Sequence, residues 1–288
     1  MKVVRNVLGL LVLVIVLDQL VSFLVPTFKE RGDFRIEALA NGDIKADTIV
    51  IGASRGFFGL SANDLGSNYY NLCFKGSNAI FHKRVVDLLL EKHQPNTILW
   101  VLDDDHYFFN NGALRDRVDL FTPFVADDRL NESVCDFYNK SEVLASVLKS
   151  YRYSENVPVS YYELINGVKG PANSQGDGDL NRSFTSNVEF EVMKSYQDSL
   201  INPDYLEAFN LSIDKIQADG IDMLFLILPN RTKRNDAFHE FLMTQGLKVY
   251  RDTSGLFQNN KYFGDQSHLN PKGKDLFTKR LKEYLQSN

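Results

Sequence analysis

Three residues have the types and spacing that nucleophilic catalysis requires. Ser54 closely follows a short apolar run, and Asp265 precedes His268 by three residues. A loop of that length lets the carboxylate reach the imidazole and select its tautomer, as a Ser–His–Asp relay requires. These side chains therefore predict a nucleophilic site, on condition that the fold brings two distant parts of the chain together.

Five short apolar runs predict the strands that could bring these parts together. The runs alternate with helical patterns and are almost wholly apolar, which is typical of a parallel sheet covered on both faces. They are Thr48–Ile51, Tyr69–Phe74, Thr97–Leu102, Ile221–Leu228 and Leu247–Tyr250. Loops after the first and last strands of such a sheet open at its carboxyl edge, so Ser54 and His268 can meet there. Asn270 and Pro271 predict the start of a helix just after His268.

The predicted fold class is α/β, a three-layer sandwich with a central, mostly parallel five-stranded sheet and flavodoxin-like layering. Residues 47–288 form this domain. The stretch at about 110–202 interrupts the alternation of strands and helices, and around Asn173 it is too polar for a core. We interpret it as an inserted cap over the strand ends. Residues 27–46 are polar and aperiodic, as expected of a stalk.

The first 26 residues predict a membrane anchor, a single N-terminal transmembrane helix. The run Val7–Leu17 is apolar, Lys2 and Arg5 precede it, and apolar residues resume as far as Val25. A bilayer span needs about 20 such residues. The basic residues are expected in the cytoplasm and the rest of the chain outside it, in the periplasm or at the cell surface. A buried core helix and a cleaved signal peptide are the alternatives, although no small-x-small cleavage site closes the run.

The composition excludes several classes of protein. Hydrophobic residues make up 44% of the 288 and charged residues 24%, which is a globular mixture rather than a disordered or fibrous one. A net charge of −5 and a pI near 5.6 argue against a nucleic-acid-binding protein, which is normally strongly basic. Cys73 and Cys135 lie in no CxxC metal spacing, and they either pair outside the cytoplasm or stay as buried thiols.

The serine after the first strand and the D-x-x-H motif together resemble the SGNH/GDSL hydrolase superfamily. More narrowly, YFGDQSHLNPKGKDLF at 262–277 is similar to the membrane-anchored proteins of cell-envelope acylation, the DltD and alginate-acetylation group. The resemblance covers roughly residues 47–105 and 220–285. Gly52–Gly56 also fits the G-x-S-x-G elbow of α/β-hydrolases. The acid of that fold lies far from its histidine, so the D-x-x-H spacing favours the SGNH-like order.

The resemblance implies Ser54 as the nucleophile, His268 as the general base and Asp265 as the residue that orients it. The segment NLCFKGS at 71–77 is similar to the family's second block, whose glycine N–H donates to the oxyanion. That role falls to Gly76, with the backbone N–H of Ser54 beside it.

The chain departs from the family after the third strand. The family's third block is Gly-x-Asn-Asp, whereas residues 103–106 are three aspartates and a histidine. An asparagine amide donates to an oxyanion, and an ionised aspartate cannot. Arg55 and His106 are the candidates for a replacement donor, and Asp105 is assigned to the same oxyanion and substrate-binding edge. Without a replacement, activity is weak or absent. Consecutive strand residues alternate faces, so this run predicts no metal site, and no cofactor is expected.

The function implied is that of a serine-dependent O-acyl esterase or acyltransferase acting on a cell-envelope glycan. Its partners would be a cell-surface polysaccharide or another acylated glycan, and a membrane-bound O-acyltransferase that supplies the acyl group. The alternative is a non-catalytic SGNH-like protein that binds glycan or acts as a scaffold in an envelope acylation system. No nucleic-acid partner is expected.

Other side chains have ordinary structural interpretations. His82, His93 and His239 lie in helical patterns and are expected at the surface. Phe57 and Phe58 follow the serine and are expected to pack in the core beneath the cap, or to form a wall for a sugar ring or an acyl group.

Overall fold

A computed structural model gives the fold of this chain in six segments. The described residues are 2–29, 34–102, 174–185, 191–193, 202–231 and 233–287. The chain divides into two compact units, the first made of Met1–Ala40 and Arg117–Gly170, the second of Asn41–Asp116 and Pro171–Asn288. The C-terminal part of the predicted insertion therefore belongs to the unit that contains the sheet. The sequence also predicts two helices within the insertion. The first, Ser141–Tyr151, lies outside the described residues, and the second, Asn187–Ser199, is wrong at Glu191–Met193, where the chain forms a strand.

Helix α1 (Lys2–Lys29) begins the chain, and α2 (Phe34–Asn41) follows it. The large apolar side chains of α1 from Val7 to Leu20 are exposed. No helix among the described residues is long and apolar enough to cross a membrane, so the predicted transmembrane helix is not found in this part of the chain. The aperiodic stalk expected at 27–46 is wrong where α2 forms, because Ile36 and Leu39 are buried at the three-residue spacing of one helix face.

The sheet of the second unit has five parallel strands in the order β2-β1-β3-β5-β7. Its strands are β1 (Thr48–Gly52), β2 (Tyr69–Cys73), β3 (Thr97–Leu102), β5 (Asp222–Ile227) and β7 (Val249–Arg251). The five predicted strands are thus confirmed. A second, two-stranded parallel sheet, which the sequence did not predict, pairs β4 (Glu191–Met193) with β6 (Lys233–Asn235).

The order of the strands reverses direction at β1. The chain moves from β1 to β2 on one side and then returns to place β3 on the other side of β1. The carboxyl edge at such a switch point is where open parallel sheets bind their ligands. Ser54 follows β1 at this edge.

Helices cover both faces of the sheet, which confirms the layered α/β class. They are α3 (Ser54–Gly59), α4 (Ala62–Leu65), α5 (Ala79–Lys92), α6 (Pro203–Ala218), α7 (Asp236–Thr244) and α8 (Pro271–Ser287), with short 3-10 turns at Leu256–Gln258 and Asn260–Tyr262. Alternate strand residues face opposite layers. Val50 and Leu99 pack in the same core as Phe277 of α8, whereas Trp100 contacts Phe209 of α6 at a ring distance of 5.3 Å.

Residues 174–185, the longest described part of the predicted cap, are bound to the rest of the second unit by backbone hydrogen bonds. Gln175 accepts from the Asn71 N–H at 2.8 Å, and the Gly178 N–H donates to the Phe57 carbonyl at 3.0 Å. The expectation that this polar stretch stays out of the core is wrong for Asp177, which is 1% exposed. Its carboxylate accepts from the N–H of Ala62 at 2.8 Å, so burial of the charge is offset by capping the first turn of α4.

Candidate active site

Ser54 is the first residue of α3, two positions after β1 ends. The turn that carries it packs so closely on the neighbouring strands that glycine is required on either side. A Cβ at Gly52 would lie 2.7 Å from the Val101 carbonyl oxygen, and a Cβ at Gly56 would lie 2.4 Å from the Cys73 Sγ. The G-x-S-x-G pattern is therefore explained by the packing of this turn.

The loop that carries His268 is closed on itself and attached to α8. The Gly264 N–H donates to the His268 carbonyl at 2.9 Å, and Phe263 and Leu269 form an antiparallel bridge. Asn270 accepts from the Gly273 N–H at 3.1 Å. Helix α8 begins at Pro271, directly after Asn270, as the sequence predicted. The backbone around the histidine is therefore fixed on both sides.

The structure brings Ser54, His268 and Asp265 together in one line of hydrogen bonds. Ser54 Oγ lies 2.8 Å from His268 Nε2. His268 Nδ1 lies 2.8 Å from Asp265 Oδ1 and 3.0 Å from Oδ2. The Phe58 ring lies nearly perpendicular to the imidazole at a centroid distance of 5.6 Å, whereas Phe57 is buried in the core.

His268, assisted by backbone donors, holds the Asp265 carboxylate in its ionised form. The N–H groups of Ser267 and His268 donate to Oδ1 at 3.0 and 2.9 Å. Burial alone would raise the pKa of Asp265, but the hydrogen bond and charge of His268 and these backbone donors outweigh it and hold the pKa well below its usual range. An ionised carboxylate can only accept, so His268 Nδ1 carries a proton. When the ring is neutral, Nε2 presents its lone pair to the Ser54 hydroxyl, the arrangement that a general base needs.

Arg182 also donates to the Asp265 carboxylate, a contact that the sequence did not predict. It comes from the polar segment 174–185, and no motif or periodicity connects it with a carboxylate 83 residues away. The Arg182 side chain is 61% exposed, so water screens this ion pair strongly.

The other predicted site residues have different outcomes. Gly76 lies in the loop after β2, with a left-handed φ of 72° and nothing within 4 Å of where a Cβ would be. Arg55 is buried and donates to the carbonyl of Leu228, which follows β5. Asp105 and His106 lie outside the described residues.

The pairing of Cys73 with Cys135 stays untested, because Cys135 is also outside the described residues. Within the described segments, no group of three or more His, Cys, Asp or Glu side chains could hold a metal ion.

The surface position expected for His82 is wrong, because this residue is fully buried. The buried residues of α5 include Val86 and Leu89, which lie four and seven positions after His82. These positions share one helix face. The spacing of His82, Val86 and Leu89 was therefore a signal of burial in the sequence. Phe81 and Val85 form one buried stripe of α5, and the packing of α6 against α5 extends the buried face of the helix beyond that stripe.

No family model matches the sequence, and no curated protein matches it either. Among solved structures, the fold is similar to the crystal structure of a candidate acylhydrolase from Bacteroides fragilis. The two chains are 10% identical, the match covers 87% of this chain and 94% of the other, and the TM-score is 0.42. A likeness at this level carries no argument about what this protein does.

Proposed function

We propose that this protein is a serine-dependent O-acyl esterase or acyltransferase that acts on a cell-envelope glycan. The observation that carries the proposal is the 2.8 Å contact between Ser54 Oγ and a histidine whose other ring nitrogen is bound to an ionised carboxylate. Three side chains from two distant parts of the chain meet in the order and at the distances that acyl transfer needs.

The chemistry follows from this geometry. Ser54 Oγ attacks the acyl carbonyl carbon while its proton passes to His268 Nε2, and Asp265 stabilises the imidazolium that forms. The tetrahedral intermediate collapses, and the alcohol leaves with the proton from Nε2, so that the acyl group stays on Ser54. Water or a glycan hydroxyl then attacks the acyl-serine and gives its proton to the same nitrogen. The second tetrahedral intermediate collapses as the bond to Ser54 Oγ breaks, Ser54 Oγ takes the proton back from Nε2, and the acid or the new ester leaves. Water as the acceptor gives an esterase, and a glycan hydroxyl gives an acyltransferase.

The oxyanion of the intermediate needs donors at the same edge. The backbone N–H groups of Gly76 and Ser54 are proposed for this role, with Arg55 or His106 as a third donor in place of the asparagine of the resembled family. If no third donor is present, the alternative is a non-catalytic glycan-binding or scaffolding protein. The aspartates at 103–105, which the sequence places where the amide would be, favour that alternative.

The experiment is labelling with a fluorophosphonate and hydrolysis of p-nitrophenyl acetate by the purified full chain. We expect Ser54→Ala to abolish labelling, and Ser54→Ala and His268→Ala each to lower kcat by about 10³-fold or more. Ser254→Ala and His93→Ala are matched controls that should keep both signals, since Ser254 is exposed and His93 contacts the Ala46 carbonyl, away from the catalytic group. Wild-type protein that neither labels nor hydrolyses the ester would favour the non-catalytic alternative.

We also propose that the protein is held at a membrane with the α/β unit outside the cytoplasm. The exposed apolar side chains of Val7–Leu17 support attachment, because such a surface is unfavourable in water. Lys2 and Arg5, which precede it, support the orientation. A membrane-bound O-acyltransferase is the partner that would supply the acyl group in this compartment.

A further inference from the structure

His82 is a buried titratable side chain that the steps above do not use. It lies in the first turns of α5 with 0% exposure, and the rings of Phe81 and Trp100 face its imidazole edge-on at 6.0 and 6.3 Å. An imidazole among aromatic rings is costly to bury unless its nitrogens are hydrogen-bonded. Its partners therefore indicate why a histidine occupies this position.

The partners of His82 belong to the loop that follows β2. Ser77 Oγ lies 2.6 Å from the Phe74 carbonyl and 2.7 Å from His82 Nε2. A carbonyl only accepts, so the one hydroxyl hydrogen of Ser77 goes to Phe74, and Ser77 Oγ must accept from Nε2–H of His82. The contact between Ser77 and His82 thus fixes the tautomer of the ring.

The loop that His82 contacts is also connected to the end of β1. The Gly52 carbonyl accepts from the Phe74 N–H at 2.8 Å. Burial lowers the pKa of His82 to about 3, so the ring is neutral at physiological pH and has a single N–H, the one that Ser77 accepts. The loop 74–77 is therefore held at one side by the strand that ends just before the nucleophile and at the other side by one neutral side chain.

Loop 74–77 contains Gly76, whose N–H is the proposed oxyanion donor. Gly76 has a left-handed backbone and an open space where a Cβ would be, so side-chain packing at Gly76 itself does not hold it. The contacts that fix the loop lie on its two sides: the Phe74 N–H donates to the Gly52 carbonyl, and Ser77 Oγ accepts from His82.

We infer that His82 is a positioning residue, which holds the oxyanion donor of Gly76 in register with Ser54 through its hydrogen bond to Ser77. The inference rests on the proposed function, because only acyl transfer requires that donor. Oxyanion donors act by being preorganised, so a loop that moves loses rate in the chemical step rather than in substrate binding.

The test compares four variants of the full chain. His82→Gln keeps an N–H that can reach Ser77, His82→Leu keeps the volume without the donor, and Ser77→Ala removes the acceptor. His93→Leu is the matched control, since His93 ends α5 at its other end and contacts the Ala46 carbonyl at 2.8 Å. The measurements are kcat and KM with p-nitrophenyl acetate, and amide hydrogen exchange of peptides that cover loop 74–77.

We expect His82→Leu and Ser77→Ala each to lower kcat by about tenfold to a hundredfold. Removal of an oxyanion donor lowers kcat by a larger factor, on the order of 10²–10³, because the donor is then lost rather than displaced. KM should stay within about twofold, because substrate contacts are unchanged. His82→Gln should recover most of the lost kcat. Loop 74–77 should exchange faster in His82→Leu and Ser77→Ala but not in His93→Leu, while the β1 and β3 amides keep their protection.

The outcomes separate the inference from the proposed function. If wild type is active through Ser54 and both His82→Leu and Ser77→Ala keep its kcat and loop exchange, the inference is wrong and the function stands. If wild type is inactive, the function fails and positioning of the donor fails with it, whatever the exchange result. If His82→Leu does not fold, Ser77→Ala carries the test, since it removes a single oxygen atom from the other side of the same hydrogen bond.

Discussion

The carboxylate of Asp265 receives hydrogen bonds from the His268 ring, from two backbone N–H groups of its own loop and from Arg182. The loop donors are fixed by the backbone, whereas the Arg182 side chain extends into solvent. These donors are therefore unequal in importance for orienting the histidine. The loop and ring contacts set the tautomer, and the exposed ion pair adds little, because exposed pairs contribute only about 0–1 kcal/mol.

This inequality predicts different effects of two substitutions. Asp265→Asn should lower kcat by about 10³–10⁴-fold, because an amide allows the wrong tautomer of His268. Arg182→Gln should lower it by less than about tenfold, and the small loss should shrink further at high salt. Steady-state ester hydrolysis at low and high ionic strength checks both. A loss as large in Arg182→Gln as in Asp265→Asn would contradict this ranking.

The lowered pKa of Asp265 also predicts a pH dependence of stability. Because its pKa is lower in the folded state, the carboxylate stabilises the fold fully above its unfolded pKa of about 3.9. That stabilisation is lost as the pH falls through the folded-state pKa. Urea unfolding of wild type and Asp265→Asn should therefore differ at pH 7 and become more alike as the pH falls below about 3.9. If the free energies of unfolding of the two proteins differed by the same amount at pH 7 and below about pH 3.9, the charge of Asp265 would not be responsible for the difference.

At the scale of elements, the turn from β1 to α3 packs closely against the neighbouring strand because Gly56 has no side chain. Gly56 of α3 lies against Cys73, the last residue of β2, with no room for a methyl group. This contact keeps the turn close to the neighbouring strand. The Ser54 hydroxyl therefore stays where the His268 ring can reach it.

We expect Gly56→Ala to lower the free energy of unfolding by about 1–3 kcal/mol, the usual cost of adding a methyl to a packed core. In a Cys73→Ala background the same substitution should cost less, because the Sγ that its Cβ would meet at 2.4 Å is gone. A double-mutant cycle from urea unfolding measures this coupling. If the effects of the two substitutions on the free energy of unfolding were additive, the added methyl group at position 56 would not clash with Cys73.

The strands could be predicted because each is a nearly continuous apolar run, and burial on both faces leaves that mark on the sequence itself. Ser54, Asp265 and His268 could be grouped for a related reason, since parallel strands bring their carboxyl ends to one edge. The burial of Asp177 could not be predicted, because it lies in a polar stretch and its carboxylate accepts from a backbone N–H 115 residues away, a contact that no periodicity reveals. The burial of His82 follows the spacing of Val86 and Leu89, but a histidine at such a spacing is not by itself a sign of a buried face.

At the scale of the whole molecule, the apolar surface of α1 and the site in the second unit belong to different parts of the chain. A protein with such a surface should stay with membranes. The proposed location therefore concerns α1 and can be tested without disturbing the candidate site.

We expect the full chain to sediment with membranes at high salt and to be released by detergent. The double substitution Leu11→Lys and Ile15→Lys, on one face of α1, should move it to the supernatant. Leu211→Lys, at an exposed apolar position of α6, is the control that should not. Release at alkaline pH would indicate attachment to the membrane surface. Release of the full chain at neutral pH without detergent would contradict the proposed location.

The hydrogen bond between Ser54 and His268 joins residues 214 positions apart. During synthesis the serine therefore leaves the ribosome long before the base that activates it exists, and a nascent chain carries only an ordinary hydroxyl. Closing so distant a contact is slow compared with forming local structure, so it belongs to the late steps of folding. Ester hydrolysis would then report completed folding of the α/β unit, and a partly folded chain would have no hydrolytic activity of this kind.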